Sequence, residues 1–288
     1  MSCAIKTVCV RVQQYCDLSC LHCWAESSPK AARALNPELV LSFVASMKSS
    51  GLSHVSISGG EPLLYPKLGD LLLGLTDMDM LVTITTNGFN EKVVSRTLDL
   101  IRRRDFSNIR IRVSVDGCAK RHEYLRGAGT YAPTMRSLNA IRKQLNWVGV
   151  NTVVSRETLQ GIEELCVDLK EANADHWAIM TEAPRGNLAG KAISPEHILA
   201  SMDEVETIAR KRGFVGQIEK WNYLTAPHSY LLVEPDGRIV IPGTTEAEDI
   251  YIGEIAAPDL GLLKGTVLHL SACKSPTFFS WEHRPYFS

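Results

Sequence analysis

Thr7-Val8-Cys9-Val10-Arg11-Val12, followed closely by Tyr15-Cys16-Asp17-Leu18-Ser19-Cys20-Leu21-His22-Cys23-Trp24, decides how this chain is read. The first run is a strand by its β-branched content. The second carries three cysteines spaced C-x3-C-x2-C. Thiolates on one short loop can ligate three irons of a [4Fe–4S] cluster, since such clusters are held by cysteine. The fourth iron is then left for a small molecule, and the chemistry is expected there. Zinc asks for a fourth protein ligand, usually from a second Cys or His pair. No second C-x2-C occurs, and His22 lies between two of the cysteines, poorly placed to close such a site. A disulfide framework belongs to small secreted chains.

The 288 residues are 45% hydrophobic and 22% charged, ordinary for a globular protein able to bury a sizeable core. A net charge of −1 gives no whole-chain case for nucleic acid. The N-terminus lacks a long apolar region, and no stretch has the roughly 18 apolar residues of a membrane span. Eight cysteines without an export signal fit a reducing, cytoplasmic setting.

Working outward from the cysteine loop, strand and helix patterns alternate. Asn36-Pro37-Glu38 opens a helix, with Asn as cap and Pro at the first helical position. Strands are expected at 54–58, 81–86, 109–115, 148–154 and 176–180, with helices at 68–75, 91–104, 133–145, 158–172 and 194–212. Six strands each followed by a helix predict parallel βα units. The fold class is therefore α/β, a partial (β/α)6 TIM-like barrel over residues 1–215. In such folds reactive groups collect at the C-terminal strand ends. The cysteine loop, Gly59-Gly60-Glu61-Pro62, Asn87-Gly88, Asp116-Gly117-Cys118 and Pro184-Arg185-Gly186 should share that rim. From about residue 216 the rhythm changes to a hairpin turning at Pro235-Asp236-Gly237, then a short strand and a helix near 260–270. Residues 216–288 form a small α+β extension expected to cover the site.

Cys16-x3-Cys20-x2-Cys23 after the first strand, with Gly59-Gly60-Glu61-Pro62 after the second, resembles the radical S-adenosylmethionine (SAM) superfamily. The resemblance implies one [4Fe–4S] cluster bound by Cys16, Cys20 and Cys23. SAM is then chelated at the fourth iron through its amino and carboxylate groups. One electron from an external reductant such as flavodoxin or ferredoxin cleaves it, giving a 5′-deoxyadenosyl radical that takes hydrogen from substrate. Gly59 and Gly60 would let backbone approach the methionyl ammonium, and Glu61 would offer a carboxylate acceptor. Pro62 completes that motif. Ser114 and Asp116 match positions near the SAM ribose, and Arg126 resembles an arginine used on the SAM carboxylate. His22 stands where the family usually has an aromatic residue. Trp24 reads as a packing residue.

Ser114-Val115-Asp116-Gly117, His122 and Arg126-Gly127-Ala128-Gly129 narrow the resemblance to members carrying a C-terminal auxiliary-cluster (SPASM/twitch-type) module, many of them peptide modifiers. Here that module's cysteines are missing. Gly243 stands where one is expected, and Cys273 is the one cysteine beyond Cys166. Without a second cluster to accept an electron, redox-neutral chemistry is expected: epimerisation, rearrangement or elimination. An epimerase needs a second hydrogen donor, and Cys273, with Cys118 in reserve, is the candidate catalytic thiol. Residues 219–260 hold eight acids against Lys220 and Arg238. This suggests an acidic lid selecting a cationic small molecule such as an aminoglycoside. The alternative is modification of a ribosomally made peptide.

Overall fold

The computed structural model describes residues 5–155, 159–191, 193–224, 230–258 and 261. Its centre is one ten-stranded sheet in the order β10-β9-β8-β1-β2-β3-β4-β5-β6-β7. The parallel strands are β1 (Thr7–Arg11), β2 (His54–Ser58), β3 (Leu81–Thr86), β4 (Ile109–Ser114), β5 (Val148–Val154), β6 (His176–Thr181) and β7 (Gln217–Trp221). The helices α1 (Pro37–Lys48), α2 (Leu68–Asp77), α3 (Glu91–Arg104), α4 (Ala119–Arg126), α5 (Tyr131–Gln144), α6 (Ile162–Glu171) and α7 (Pro195–Lys211) lie in the crossovers. α1 begins as the sequence predicts, with the Asn36 carboxamide accepting from the Glu38 amide at 3.1 Å.

Strand alternation sorts the side chains into two environments. Val8, Val10, Val55, Ile57, Val82, Ile84, Ile111 and Val113 have no exposed surface and form the core together with helix residues such as Phe43, Leu71 and Leu138. The opposite face carries Thr7, Cys9, Ser56, Thr85, Ser114 and Asn151, and these line a cavity. The sheet is thus sealed on its helical side and polar on its concave side, and the polar face is where a ligand can bind.

Three features depart from the expected layout. Residues 119–126 form α4, whereas the sequence reads as a loop, because its apolar content is too low to show helical periodicity. The sheet does not end near 215: β7 adds a seventh parallel strand beside β6, with Trp177 opposite Ile218. β8 (Leu231–Val233) pairs parallel with β1 at the other edge, with Cys9 opposite Leu232. β9 (Arg238–Ile241) and β10 (Ile250–Glu254) complete that edge as antiparallel strands. The described strands of the extension therefore widen the same sheet on both sides. The helix expected near 260–270 lies outside the described residues. Among the described residues, no helix is long and apolar enough to cross a membrane.

Candidate active site

The cysteine loop is held from four directions by backbone and amide contacts. Gly60 N–H donates to the Gln13 carbonyl at 2.7 Å, and Glu61 N–H donates to that of Tyr15 at 2.8 Å. Leu21 N–H donates to the Leu125 carbonyl at the end of α4. From the loop after β6, Asn187 donates its amide N–H to the Cys23 carbonyl and its side-chain Nδ2 to that of Cys20. From the end of β3, Asn87 Nδ2 reaches Asp17 Oδ1 at 2.9 Å and Cys16 Sγ at 3.6 Å. Asn87 and Asn187 are site residues the sequence did not single out individually; their position just past strand ends was the available signal.

The Gly-Gly pair has a specific steric reason. A Cβ on Gly60 would lie 1.9 Å from the Tyr15 carbonyl oxygen, and one on Gly59, at φ +138°, 2.4 Å from that of Gln13. Two backbones meet there, so only glycine fits. The glycines thus let the second strand's loop approach the entry to the cysteine loop, in addition to leaving cavity wall bare. Glu61 is used differently from the expectation. Its buried carboxylate accepts from Thr86 Oγ1 at 2.7 Å and from the amides of Asn87 and Leu63 at 2.7 and 3.0 Å. It ties two rim loops together and is absent from the cavity wall, as is Pro62, which starts a short 3-10 turn. Burial pushes the Glu61 carboxyl up to about 7, despite those three donors.

Asp116 also acts from behind the wall. Its Oδ2 accepts from Arg126 Nε at 2.6 Å and His22 Nε2 at 3.0 Å, and its Oδ1 from the Val153 amide at 2.8 Å. Burial alone would raise its pKa, but Arg126 and His22 more than offset this and hold the carboxyl well below the usual range. Asp116 therefore orients Arg126 and His22, both of which line the cavity together with Ser114, Gly59 and Gly60. Cys118 does not join them. Gly117, at φ +87°, turns the chain so that Cys118 caps α4, with its Sγ 3.9 Å from the Gln160 carbonyl and beside Gly161. Cys273 lies outside the described residues.

Cys16, Cys20 and Cys23 all border one cavity of roughly 250 Å³. Burial pushes the Cys16 thiol up to about 12 and raises that of Cys20, so neither is a thiolate without a positive partner, and a bound metal supplies one. No three His, Cys, Asp or Glu side chains among the described residues converge as a single ion would require. Each cysteine holding its own iron of a cluster suits this spread. Buried polar atoms on the same wall, Asn151 Oδ1, Ser27 Oγ, His22 Nδ1 and Trp24 Nε1, have no partner among the described residues. Such atoms fit a polar ligand, which would satisfy them. The residues present therefore fit a cluster with SAM.

The acidic extension is committed elsewhere. Glu234 accepts twice from Arg11 Nη1 at 2.9 Å, and Asp249 binds Arg185 in two-point fashion at 2.6 and 2.8 Å. Glu246 accepts from the Gly186 amide, and Glu248 from that of Thr244. Among the described residues, no carboxylate lines the cavity. At Gly243, where a cluster cysteine was sought, a Cβ would lie 2.4 Å from Glu248 Cβ, so a cysteine does not fit. Arg185, only 2% exposed, fastens this loop to the rim and lies over Trp24 at 5.1 Å, with Arg11 at 5.6 Å from the same ring.

A profile described as Radical SAM superfamily matches residues 10–169. The AdoMet-dependent heme synthase of Methanosarcina barkeri is 29% identical over 175 residues, covering 59% of this chain and 49% of that protein. The S-adenosylmethionine-dependent nucleotide dehydratase of a Fibrobacter species is 24% identical over 279 residues, covering 85% of this chain and 80% of that one. The chain spans about half the length of other curated relatives it matches, the heme synthase among them. In fold it resembles Streptococcus suis SuiB bound to S-adenosylmethionine, with a TM-score of 0.72 and 16% identity over 90% of this chain and 65% of SuiB. The chain belongs to the radical SAM superfamily, whose cofactors are a [4Fe–4S] cluster and S-adenosylmethionine.

Proposed function

We propose that this radical SAM enzyme carries out a redox-neutral reaction at a carbon centre, specifically an epimerisation, on a small natural product held beneath Cys16, Cys20 and Cys23. The observation that carries the reading is the composition of the cavity wall. It joins the three cysteines to hydroxyl, thiol and aromatic side chains on the concave sheet face. The sequence adds only Cys273 beyond residue 166, so it offers no cysteine set for a second, electron-accepting cluster.

When bound, the cluster and SAM supply a radical able to take hydrogen from carbon. The chain's own residues do the positioning. Asp116 fixes Arg126 and His22 at the wall, while Trp24, Trp221 and Tyr223 narrow the cavity and limit water. The reading includes a cytoplasmic setting and an external one-electron donor such as flavodoxin or ferredoxin. A cationic amino sugar as substrate draws little support from the wall, because Glu234, Asp249, Glu246 and Glu248 of the acidic stretch are paired with Arg11, Arg185 and backbone amides. An uncharged, hydroxyl-bearing small molecule suits it better.

A second reading, elimination of water from a nucleotide, is favoured by the Fibrobacter dehydratase, whose match runs well beyond the core domain. Peptide modification is supported by the motifs at Ser114–Gly117 and Arg126–Gly129 and by likeness of fold to SuiB, which binds a precursor peptide. Anaerobic reconstitution with SAM and dithionite in deuterated water, against panels of sugars, nucleotides and peptides, separates these readings by product mass. Epimerisation gives a product one mass unit heavier, one hydrogen having been replaced by deuterium. Loss of water or of two hydrogens would refute it.

A further inference from the structure

Cys9 has no part in the expected cluster set, yet it shares the cavity with Cys16, Cys20 and Cys23. It lies within β1, opposite Ser56 on β2 and Leu232 on β8, both also on the wall. Burial pushes the thiol up to about 11, so it keeps its hydrogen at neutral pH. A second observation marks the same space as a ligand site. Asn151 and Ser27, each only 4% exposed, present Oδ1 and Oγ on this wall without partners among the described residues. Of the other described non-cluster cysteines, Cys118 caps α4 away from the wall and Cys166 is buried in the core on α6, while Cys3 and Cys273 lie outside the described residues.

We propose that Cys9 is the hydrogen-atom donor that quenches the substrate radical, an assignment that rests on the redox-neutral reading. The carbon radical left by hydrogen abstraction forms a new C–H bond with the Cys9 hydrogen, and the S–H bond breaks homolytically. Cys9 is left as a thiyl radical. One electron from a reductant of the flavodoxin or ferredoxin class, with one proton from water, restores the thiol. The substrate ends at its original oxidation level with one hydrogen of solvent origin. The S–H bond is weaker than an alkyl C–H bond, so the transfer runs downhill. An alcohol O–H is stronger, so serine cannot replace the thiol.

The test needs no substrate. Reconstituted enzyme is incubated with SAM and dithionite in deuterated water, and deuterium in the released 5′-deoxyadenosine is read by mass spectrometry. With a deuterated thiol on the shared wall, the parent is expected to label it. Cys9→Ala and Cys9→Ser should lose most of that label, and Cys118→Ala should keep it. Cys9→Ser nearly preserves size, so a misfolded alanine variant does not rescue the proposal; iron content and urea midpoint confirm each fold. Parent-level label in Cys9→Ser overturns the assignment while leaving the redox-neutral reading standing. An oxidised or dehydrated product from the parent in the turnover experiment would end that reading separately.

Discussion

Gly60→Ala is the sharpest test of how the cysteine loop is held. The new methyl carbon would lie 1.9 Å from the Tyr15 carbonyl oxygen and 2.6 Å from that of Gln14, both backbone atoms that cannot swing aside as a side chain would. Relief requires the two backbones to separate. That breaks Gly60 N–H to Gln13 O, Glu61 N–H to Tyr15 O and Gln13 Nε2 to Glu61 O, at 2.7, 2.8 and 2.8 Å. At about 1 kcal/mol net for each bond, and more where a buried partner is left unsatisfied, the loss is roughly 3 to 5 kcal/mol. Urea unfolding of the apo-protein measures this without the cluster. Iron content after reconstitution should fall as well, because Cys16 follows Tyr15 directly. Gly69→Ala is the control: on α2 its Cβ would meet only Leu100 Cδ2 at 3.5 Å, an ordinary contact. There the helix should gain up to about 1 kcal/mol. A Gly60→Ala protein with the parent's urea midpoint would refute the account of the Gly-Gly motif.

Arg126→Met should cost about 3 to 5 kcal/mol, because it leaves the fully buried Asp116 carboxylate without its guanidinium partner, with only the His22 ring and the Val153 amide still bonded to it. In the parent the pair's stabilisation is complete at neutral pH and declines only as pH falls below about 4, the ordinary carboxylate range, since the folded-state value is depressed. Urea midpoints from pH 7 to 4 should therefore be low throughout in the variant. Glu61 has the opposite sign. Its folded value of about 7 exceeds the unfolded 4.5, so its contribution to stability is lost as pH rises between those values and stays lost above. Glu61→Gln should remove that slope from the pH–stability curve; an unchanged slope would count against burial as its cause. Asp249→Asn should loosen residues 242–249, because Arg185 loses its two-point partner. Faster limited proteolysis there, with a stability loss of about 2 to 4 kcal/mol, is the expected result.

Much of this was legible because the local rules agree. The Asn36-Pro37 cap, the β-branched strands and the order of the cysteine and Gly-Gly-Glu-Pro motifs point to one α/β barrel, and the structure follows them closely. α4 was hidden because Ala119–Arg126 carries four charged residues in eight and presents only His122 and Leu125 to the interior. β7 reads as Gln-Ile-Glu-Lys-Trp, a short alternation easily taken for loop, and only its pairing with β6 makes it a strand. The protein partners of Glu61 and Asp116 were not legible, for a shared reason. Sequence places both carboxylates at strand ends, but their depth decides whether they meet ligand or protein, and both are too buried to reach the cavity.

The sequence by itself determined the family, the alternating strands and helices, and the loop with three cysteines, because each is encoded in neighbouring residues. Only the tertiary structure decided where the extension's charges go. Arg11 with Glu234 and Arg185 with Asp249 are separated by 223 and 64 residues, and pairing at that range has no local signature. It likewise decided that Cys9, rather than Cys118, shares the cavity with the cluster loop. Alternation gives each strand residue one of two faces, but which face is concave depends on where the helices pack.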